Sequence, residues 1–512
     1  MKTGENVVKG VNAYAVQNEP YVVTRNMTVR EKHSDYRPID PATLLSRRNF
    51  LSSMGTGLGS IAMAALLADE SRAAENSSIP VPHFAGKARR VIQIFCPGAV
   101  SQMDTFEYKP ELQKRHGQPM PGLTGVSTFQ GGNGNIYRSP WEWKQYGQCG
   151  KYLSSLLPNI AECADDIAFV HSLTAKSNTH GPAMLQMNTG FVFEGFPSMG
   201  AWVTYALGSA NDNLPSFVAI PDRRGLPPNG PANWNSGFLP AAFQGTSFNS
   251  ESPIANLNPP KGKTLADEAR TRSLLNELNR QHLHENPGYS DLAARISSYE
   301  LAARMQLSAP EVTDIAKEPE YILKMYGADS NDPLKASYAK NCILARRLLE
   351  QGVRFVQLYC GSSASAVDGL LNWDAHKTLK RDYERHGPIL DQPTASLIKD
   401  LKQRGMFQDT LILWTTEFGR MPTNQVGAEG RDHNPFGFTS WMAGAGVKGG
   451  TSYGATDEFG YKSVEKPSSI YDFHATALWL LGLNHKQLTY YHNGVRRRLT
   501  DVHGEVLTEI LA

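Results

Sequence analysis

Arg90-Val-Ile-Gln-Ile-Phe95 is a mostly apolar run that passes directly into Cys96-Pro97-Gly98, and this stretch decides the fold. Such a run, ended by Pro and Gly, is typical of a buried strand of a parallel sheet that hands over to a loop. Five further runs have the same character: 167–171, 217–220, 355–359, 410–414 and 439–443. Segments with helical spacing lie between them, including 394–404 and 471–481. This alternation predicts an α/β fold with a mostly parallel central sheet flanked by helices.

Residues 264–350 have a different pattern. They contain three charged, amphipathic runs with helical spacing and no strand signal, at 265–283, 290–307 and 333–352. We interpret this segment as a helical insertion. It interrupts one large α/β domain, which we place at residues 88–512.

The N-terminal region carries an export motif. Residues 46–51 read Ser-Arg-Arg-Asn-Phe-Leu, and a Gly/Ala-rich, weakly apolar stretch follows at 52–68. This is the pattern of a twin-arginine signal, and a retained membrane helix is the alternative. The apolar run is short and is followed at once by Asp69 and Glu70, which favours cleavage. We therefore predict an N-terminal extension with a signal peptide over residues 1–74, and no membrane span after cleavage.

The export route also predicts the compartment. The mature chain would begin near residue 75 and act in the periplasm or outside the cell. Because the twin-arginine route carries folded proteins, its use suggests a cofactor or metal that is loaded before export. The 45 residues that precede the motif are long for such a signal, and a true start at Met27 would explain them.

The charge balance limits the partners. The chain has 51 Lys+Arg against 49 Asp+Glu, so nothing in the totals indicates nucleic acid as a partner. A small molecule or a surface polysaccharide fits better. The five cysteines are scattered without a CxxC pair, which makes a disulfide scaffold an unlikely framework.

Polar residues of the kind that bind metals follow the predicted strands. In chain order they are Asp104, His180, Asp374, His376, Glu417 and His433. In an open α/β sheet, ligands bind outside the carboxyl ends of the strands, so these side chains are expected to meet. A mixture of carboxylates and imidazoles suits Zn or Mn, whereas an oxygen-only set would favour Ca. The sequence therefore predicts a divalent-metal site.

Each of these residues also has a structural interpretation. An Asp after a strand often caps a helix or forms a turn, as Asp432 could, and His376 or His433 alone could be a hydrogen-bonded loop residue. The occurrence of several such groups at successive strand ends favours a shared site. Arg420 and Arg431 could bind a phosphate, sulfate or carboxylate through a bidentate fork, or form salt bridges to nearby acids.

Several segments resemble the bacterial family called domain of unknown function 1501, a sulfatase-like group in the alkaline phosphatase superfamily. The matching stretches are Ser101 to Phe106, Trp373-Asp-Ala-His376, Thr416-Glu-Phe-Gly-Arg420, Gly430-Arg-Asp-His-Asn434, 472–478 and 498–504. The resemblance covers roughly residues 88–512. It implies a sulfatase-like fold around a metal-binding cleft.

The sequence departs from the superfamily at its nucleophile. Sulfatases have a Cys-x-Pro-Ser-Arg stretch that ends in Thr-Gly, and here His180-Gly-Pro182 to Thr189-Gly190 keeps the Pro and the Thr-Gly. Because His occupies the nucleophile position, a formylglycine mechanism is not expected. Attack by a hydroxyl would need Ser177 or Thr179 from the preceding loop.

The metal-binding elements also differ from the superfamily pattern. Glu417-Phe418-Gly419 stands where an Asp-His-Gly or Asp-Asn-Gly element supplies two ligands, and a paired Asp-Asp is reduced to Asp104. The resemblance thus implies an altered site. Its candidate ligands are Asp104, Asp374, His376, Glu417 and His433, with His180 as nucleophile, base or further ligand and Arg420 as the group that steadies an anion.

Two functions are consistent with these residues, besides a purely structural role in which the polar residues of an exported protein only cap helices and pair with arginines. The first is an exported metal-dependent hydrolase of phosphate or sulfate esters that lacks the usual Cys or Ser nucleophile. The second is a non-catalytic protein of the cell envelope that binds a metal or an anion and recognises a sulfated polysaccharide or a partner protein. The retained ionisable groups favour the first, because burying them without a metal or partner is costly.

Overall fold

The computed structural model describes residues 82–123, 132–250, 264–285, 311–363 and 369–512, together with the single residues 129, 296, 300, 301 and 304. The predicted extension and twin-arginine signal at 1–74 lie outside the described residues. No helix of the described segments is both long and apolar enough to cross a bilayer.

The strands of the described residues are numbered in chain order. They are β1 (Arg90–Phe95), β2 (Asn133–Ile136), β3 (Trp143–Tyr146), β4 (Lys151–Ser154), β5 (Ile167–Thr174), β6 (Phe217–Ile220), β7 (Thr246–Ser247), β8 (Phe355–Tyr359), β9 (Thr410–Thr415), β10 (Gly419–Arg420), β11 (Thr423–Gln425), β12 (His433–Asn434), β13 (Phe438–Gly444), β14 (Thr451–Tyr453), β15 (Ala455–Thr456), β16 (Ser463–Glu465), β17 (Ser468–Ser469), β18 (Tyr490–His492) and β19 (Val495–Arg497).

The α-helices of the described residues surround these strands. They are α1 (Gln102–Thr105), α2 (Pro110–Lys114), α3 (Pro158–Ala161), α4 (His180–Thr189), α5 (Met199–Leu207), α6 (Leu265–Glu285), α7 (Glu320–Tyr326), α8 (Pro333–Glu350), α9 (Leu379–Gln403) and α10 (Ile470–Leu480).

The central sheet has the strand order β14-β5-β13-β9-β1-β8-β6-β7, and β17 also pairs with β5. Strand β1 lies in the middle, with Phe95 opposite Tyr359 on one side and Thr415 on the other. All pairings are parallel except those that β13 makes with β5 and β9. The predicted α/β class with a mostly parallel sheet is confirmed.

The sheet is covered on both faces because the side chains of its strands alternate. Ile92 and Ile94 pack into a buried cluster with residues of α8 and α9. Val91 and Phe95 point the other way, into a cluster with residues of α4, α5 and α10. The run that is apolar on both faces therefore forms the centre of a three-layer structure.

Strand β13 is antiparallel to β5 and β9 because of the path that the chain takes after β9, and this path also positions part of the site. A parallel connection needs a crossover of a dozen or more residues, usually a helix. After β9, the chain instead stays at the carboxyl edge of the sheet, where β10 pairs with β12, and then enters β13 from that edge. This return path keeps His433 beside the ends of the parallel strands.

The segment predicted as a helical insertion is helical where it is described. Helices α6, α7 and α8 lie within it, and most of 286–310 falls outside the described residues. Helix α8 buries Ile343 and Leu344 in the same cluster as β1. This part of the segment contributes to the core, and the extent of an insertion remains a prediction.

Candidate metal centre

The candidate residues reach the carboxyl edge of the sheet from four places. His180 begins α4, which follows β5, while Asp374 and His376 lie in the loop between β8 and α9. Glu417 comes shortly after β9, and His433 lies in β12. Residues that are far apart in the sequence thus come together at the carboxyl ends of the parallel strands, as this topology requires.

The Oδ1 atom of Asp374 is the centre of this group. It lies 2.9 Å from Nε2 of His376, 3.3 Å from Nε2 of His180 and 3.3 Å from Nε2 of His433. The Nε2 atoms of His376 and His433 are 3.0 Å apart. Three imidazoles therefore direct the same ring nitrogen toward one carboxylate oxygen.

The opposite nitrogen of each ring has its own oxygen partner. Nδ1 of His180 lies 2.7 Å from Oε1 of Glu417, and Nδ1 of His376 lies 2.8 Å from Oε1 of Gln425. Nδ1 of His433 lies 2.6 Å from the backbone carbonyl of Asn178. These oxygens place the proton of each neutral imidazole on Nδ1, so that its Nε2 lone pair is directed toward Oδ1 of Asp374 and can bind a cation.

The arrangement fits a divalent ion. Four tetrahedral ligands at roughly 2.0–2.2 Å hold neighbouring ligand atoms roughly 3.3–3.6 Å apart. The observed separations of 2.9, 3.0 and 3.3 Å among Asp374, His376 and His433 are close to this range, so a shift of a few tenths of an ångström admits the ion. Lone pairs this close to a carboxylate oxygen also repel one another unless a cation or protons lie between them.

The charges of the group are strongly perturbed. Burial lowers the pKa of His180, but Asp374 and Glu417 outweigh this effect and raise that pKa to about 9. Burial raises the pKa of Asp374, yet Arg420 and then His180 hold it well below its usual range. The His433 ring is different, because burial pushes its pKa well below the ordinary value. Without a metal, His180 is therefore protonated at neutral pH, whereas His433 is neutral.

Solvent reaches the three imidazoles unequally. The side chain of His180 is 21% exposed, whereas that of His433 is fully buried and that of His376 is 5% exposed. The ring of Phe418 packs against both His180 and His433, at centroid distances of 5.1 and 4.8 Å. Phe418 thus forms an apolar wall at the position where the superfamily pattern has a ligand.

The Arg420 side chain connects Asp374 to the surrounding backbone. Its guanidinium donates to the carbonyl oxygens of Ala99, Arg431 and Gly98, and also to Oδ1 of Asp374 at 2.6 Å. The side chain is 1% exposed. Four of its five N–H groups are engaged in this way, so Arg420 holds Asp374 in place, and its contact with an anion stays a prediction.

Glu417 and Asp104 lie outside the group of Nε2 atoms. Oε1 of Glu417, which is fully buried, accepts from the backbone N–H of Gly98 at 2.8 Å as well as from His180. The structure places Asp104 in a separate buried ion pair, 2.7 Å from Nε of Arg431. Of the five predicted ligands, the structure therefore brings Asp374, His376 and His433 together around one point.

Some supporting residues were missed by sequence reasoning. Gln425 and the carbonyl of Asn178 orient two of the imidazoles, but a backbone carbonyl leaves no sequence signal. Asp432, interpreted as a turn residue, places Oδ1 3.8 Å from Nδ1 of His376. A further histidine, His474 in α10, is buried and hydrogen-bonds to the carbonyl of Met187 at 2.8 Å, away from the group.

These features define an α/β protein with a histidine and carboxylate centre at the carboxyl edge of a mostly parallel sheet. The chain belongs to the family described as protein of unknown function (DUF1501), whose model matches residues 88–511. A sequence comparison with curated proteins finds no match.

Solved structures with a similar fold share little sequence with this chain. A lipoteichoic acid synthase from Listeria monocytogenes is 10% identical, with a TM-score of 0.34 and coverage of 81% of this chain and 76% of that one. A sulfatase from a Pseudoalteromonas species is 13% identical, with a TM-score of 0.32 and coverage of 83% and 72%. An alkaline phosphatase superfamily protein from Vibrio parahaemolyticus is 9% identical, with a TM-score of 0.33 and coverage of 81% and 73%.

Proposed function

We propose that this centre binds a divalent metal ion and that the protein hydrolyses phosphate or sulfate esters outside the cytoplasm. The convergence of the Nε2 atoms of His376 and His433 on Oδ1 of Asp374 supports the proposal most directly. Three protein ligands with a position left for water or substrate are the pattern of a catalytic zinc site. The twin-arginine sequence at 46–51 supports export.

The donor set favours Zn or Mn over Ca. Two imidazole nitrogens and one carboxylate oxygen suit the borderline-soft ions, whereas Ca takes six to eight oxygen ligands. Such an ion, when bound, polarises an ester oxygen and lowers the pKa of water. Gln425 and Asn178 hold the two ligating rings in the required tautomer, a supporting role that metal-binding histidines commonly need.

His180 is the group that we assign to proton transfer. It is the most exposed of the three rings, and Glu417 anchors its Nδ1, so Nε2 is turned toward the centre. Its pKa of about 9 makes it a proton donor at neutral pH, suited to protonating the leaving oxygen of an ester. The charge of a metal ion nearby would lower this pKa toward the neutral range.

The test is hydrolysis of 4-nitrophenyl phosphate and 4-nitrophenyl sulfate by protein supplied with Zn or Mn. His180→Gln should lower kcat by about 100-fold, since general acid catalysis contributes on this scale. His284→Gln, which changes an exposed histidine of α6, serves as the matched control and should retain activity.

The same experiment also tests a second function. A protein that holds stoichiometric metal but hydrolyses neither ester would favour the non-catalytic, metal-binding alternative. The engagement of Arg420 by Asp374 and backbone carbonyls is the observation that supports this alternative, because it commits four of the five N–H groups of the guanidinium to partners within the protein. Failure to bind any divalent metal would contradict both forms of the proposal.

A further inference from the structure

Both ends of helix α4 are connected by hydrogen bonds to one loop, residues 228–237. Only the first residue of the helix, His180, belongs to the proposed site. The loop contains Asn229, whose Nδ2 donates to the backbone carbonyl of Gly181 at 2.8 Å. A Cβ at Gly181 would lie 3.1 Å from Oδ1 of Asn229, so the absence of a side chain lets the loop approach closely. The contact is made one residue after the imidazole that we assign to proton transfer.

The far end of the helix connects to the same loop through buried amides. Asn188 accepts from Nε2 of Gln93 in β1 at 3.1 Å and from Nε2 of Gln357 in β8 at 2.9 Å. Its Nδ2 donates to Oδ1 of Asn233 at 2.9 Å. These four amides are at most 1% exposed. Each of these amides is hydrogen-bonded to another member of the network, although Oε1 of Gln357 has no partner among the described residues. Hydrogen bonds between buried amides favour one arrangement of the elements that they join.

Asn233 connects Asn188, near the end of the helix, to the part of the loop that contacts the start of the helix. Its Nδ2 donates to the carbonyl oxygens of Pro228 and Gly230, at 2.6 and 2.9 Å, on either side of Asn229. Asn229 has a φ of +62°, a left-handed conformation that Asn adopts more readily than most residues. The central strands, the helix and the loop therefore form a closed set of hydrogen bonds.

We propose that Asn229 is a positioning residue for His180, acting through the carbonyl of Gly181 and held in place by Asn233 and Asn188. The inference rests on the proposed role of His180. A helix packed only through apolar contacts can rotate slightly about its axis, and such a rotation moves the imidazole of its first residue relative to Asp374 and Glu417. Two polar attachments to one loop remove that freedom, and a reacting group must be held to within about 0.5 Å.

The test uses Asn229→Gly, which removes the side chain while allowing the left-handed backbone conformation. Asn235→Ala is the control, because the Oδ1 atom of Asn235 accepts from the backbone N–H of Gly237 in the same loop and, among the described residues, no hydrogen bond joins this side chain to α4. The proposal expects kcat for 4-nitrophenyl ester hydrolysis to fall about fivefold in the Asn229→Gly protein, the equivalent of one neutral hydrogen bond. KM and the melting temperature should stay near those of the Asn235→Ala control.

A second readout does not depend on activity. In protein labelled with ¹⁵N-histidine, the Nδ1–H resonance of His180, assigned with the His180→Gln variant, reports its hydrogen bond to Glu417. The proposal expects this resonance to broaden or shift in Asn229→Gly and to be unchanged in Asn235→Ala. An unchanged resonance in Asn229→Gly overturns the positioning role even if the protein proves to be an esterase. A shifted resonance in a protein without esterase activity supports the positioning role and contradicts only the proposed function.

Discussion

Nδ1 of His180 lies 2.7 Å from Oε1 of Glu417, a carboxyl group that no solvent reaches. The sequence predicts Glu417 as a metal ligand, which stays a prediction, and the structure places its Oε1 within hydrogen-bond distance of an imidazole nitrogen. The difference matters because a ligand contributes charge to the ion, whereas a supporting carboxylate sets the orientation and basicity of the ring that it contacts.

The Glu417→Gln variant tests this support. Gln keeps the shape and can still contact Nδ1, but it removes the negative charge that helps raise the pKa of His180. We expect that pKa to fall from about 9 toward its ordinary value of 6.5, as measured by NMR titration of the histidine ring. Glu320→Gln, which changes an exposed carboxylate of α7, should leave it unchanged. A pKa that remains near 9 in Glu417→Gln would show that Asp374 alone sets it.

The pH dependence of stability provides a second prediction. The pKa of His180 is about 9 in the folded protein and 6.5 without its partners, so the metal-free folded state binds the proton more tightly. The resulting stabilisation is complete below pH 6.5 and is lost as the pH rises through about 9. Chemical denaturation of the metal-free protein should show the free energy of unfolding falling across this window. His180→Gln should flatten that fall, and an equally steep fall in the variant would assign it to other groups.

Asp104 should prove structural. It forms a fully buried ion pair with Arg431, and removing one partner of such a pair typically costs about 3–5 kcal/mol. We expect Asp104→Asn to lower the melting temperature markedly and yet to retain the metal content of the wild-type protein. A variant that folds with normal stability but has lost its metal would restore Asp104 to the ligand set.

The fold was predictable from the sequence because its signals are local. The run at 90–95 and the five similar runs are apolar on both faces, a pattern typical of strands that are covered on both sides. The structure confirms the strands that these runs predict. The antiparallel direction of β13 was not predictable in the same way. It depends on where residues 416–437 run, and no periodicity specifies that path.

The site was predictable only in part. Strand ends predict His376 and His433 as ligands, because ligands gather at the carboxyl edge of such a sheet. The structure places their Nε2 atoms 3.0 Å apart, and metal binding by them stays a prediction. The choice between Asp104 and Asp374 could not be made from the sequence, since it depends on whether Arg431 or Arg420 reaches each carboxylate. Those partners are separated from them by 327 and 46 residues. The orientation of His433 depends on a backbone carbonyl, which any residue at 178 would supply.

The most direct test of the central claim is elemental analysis of the mature protein purified without chelator, beside Asp374→Asn and Asp104→Asn variants. We predict about one Zn or Mn ion per chain in the wild-type and Asp104→Asn proteins, and its loss from Asp374→Asn, with that variant still folded by circular dichroism. Folded wild-type protein without a divalent metal, even after incubation with Zn or Mn, would contradict the account.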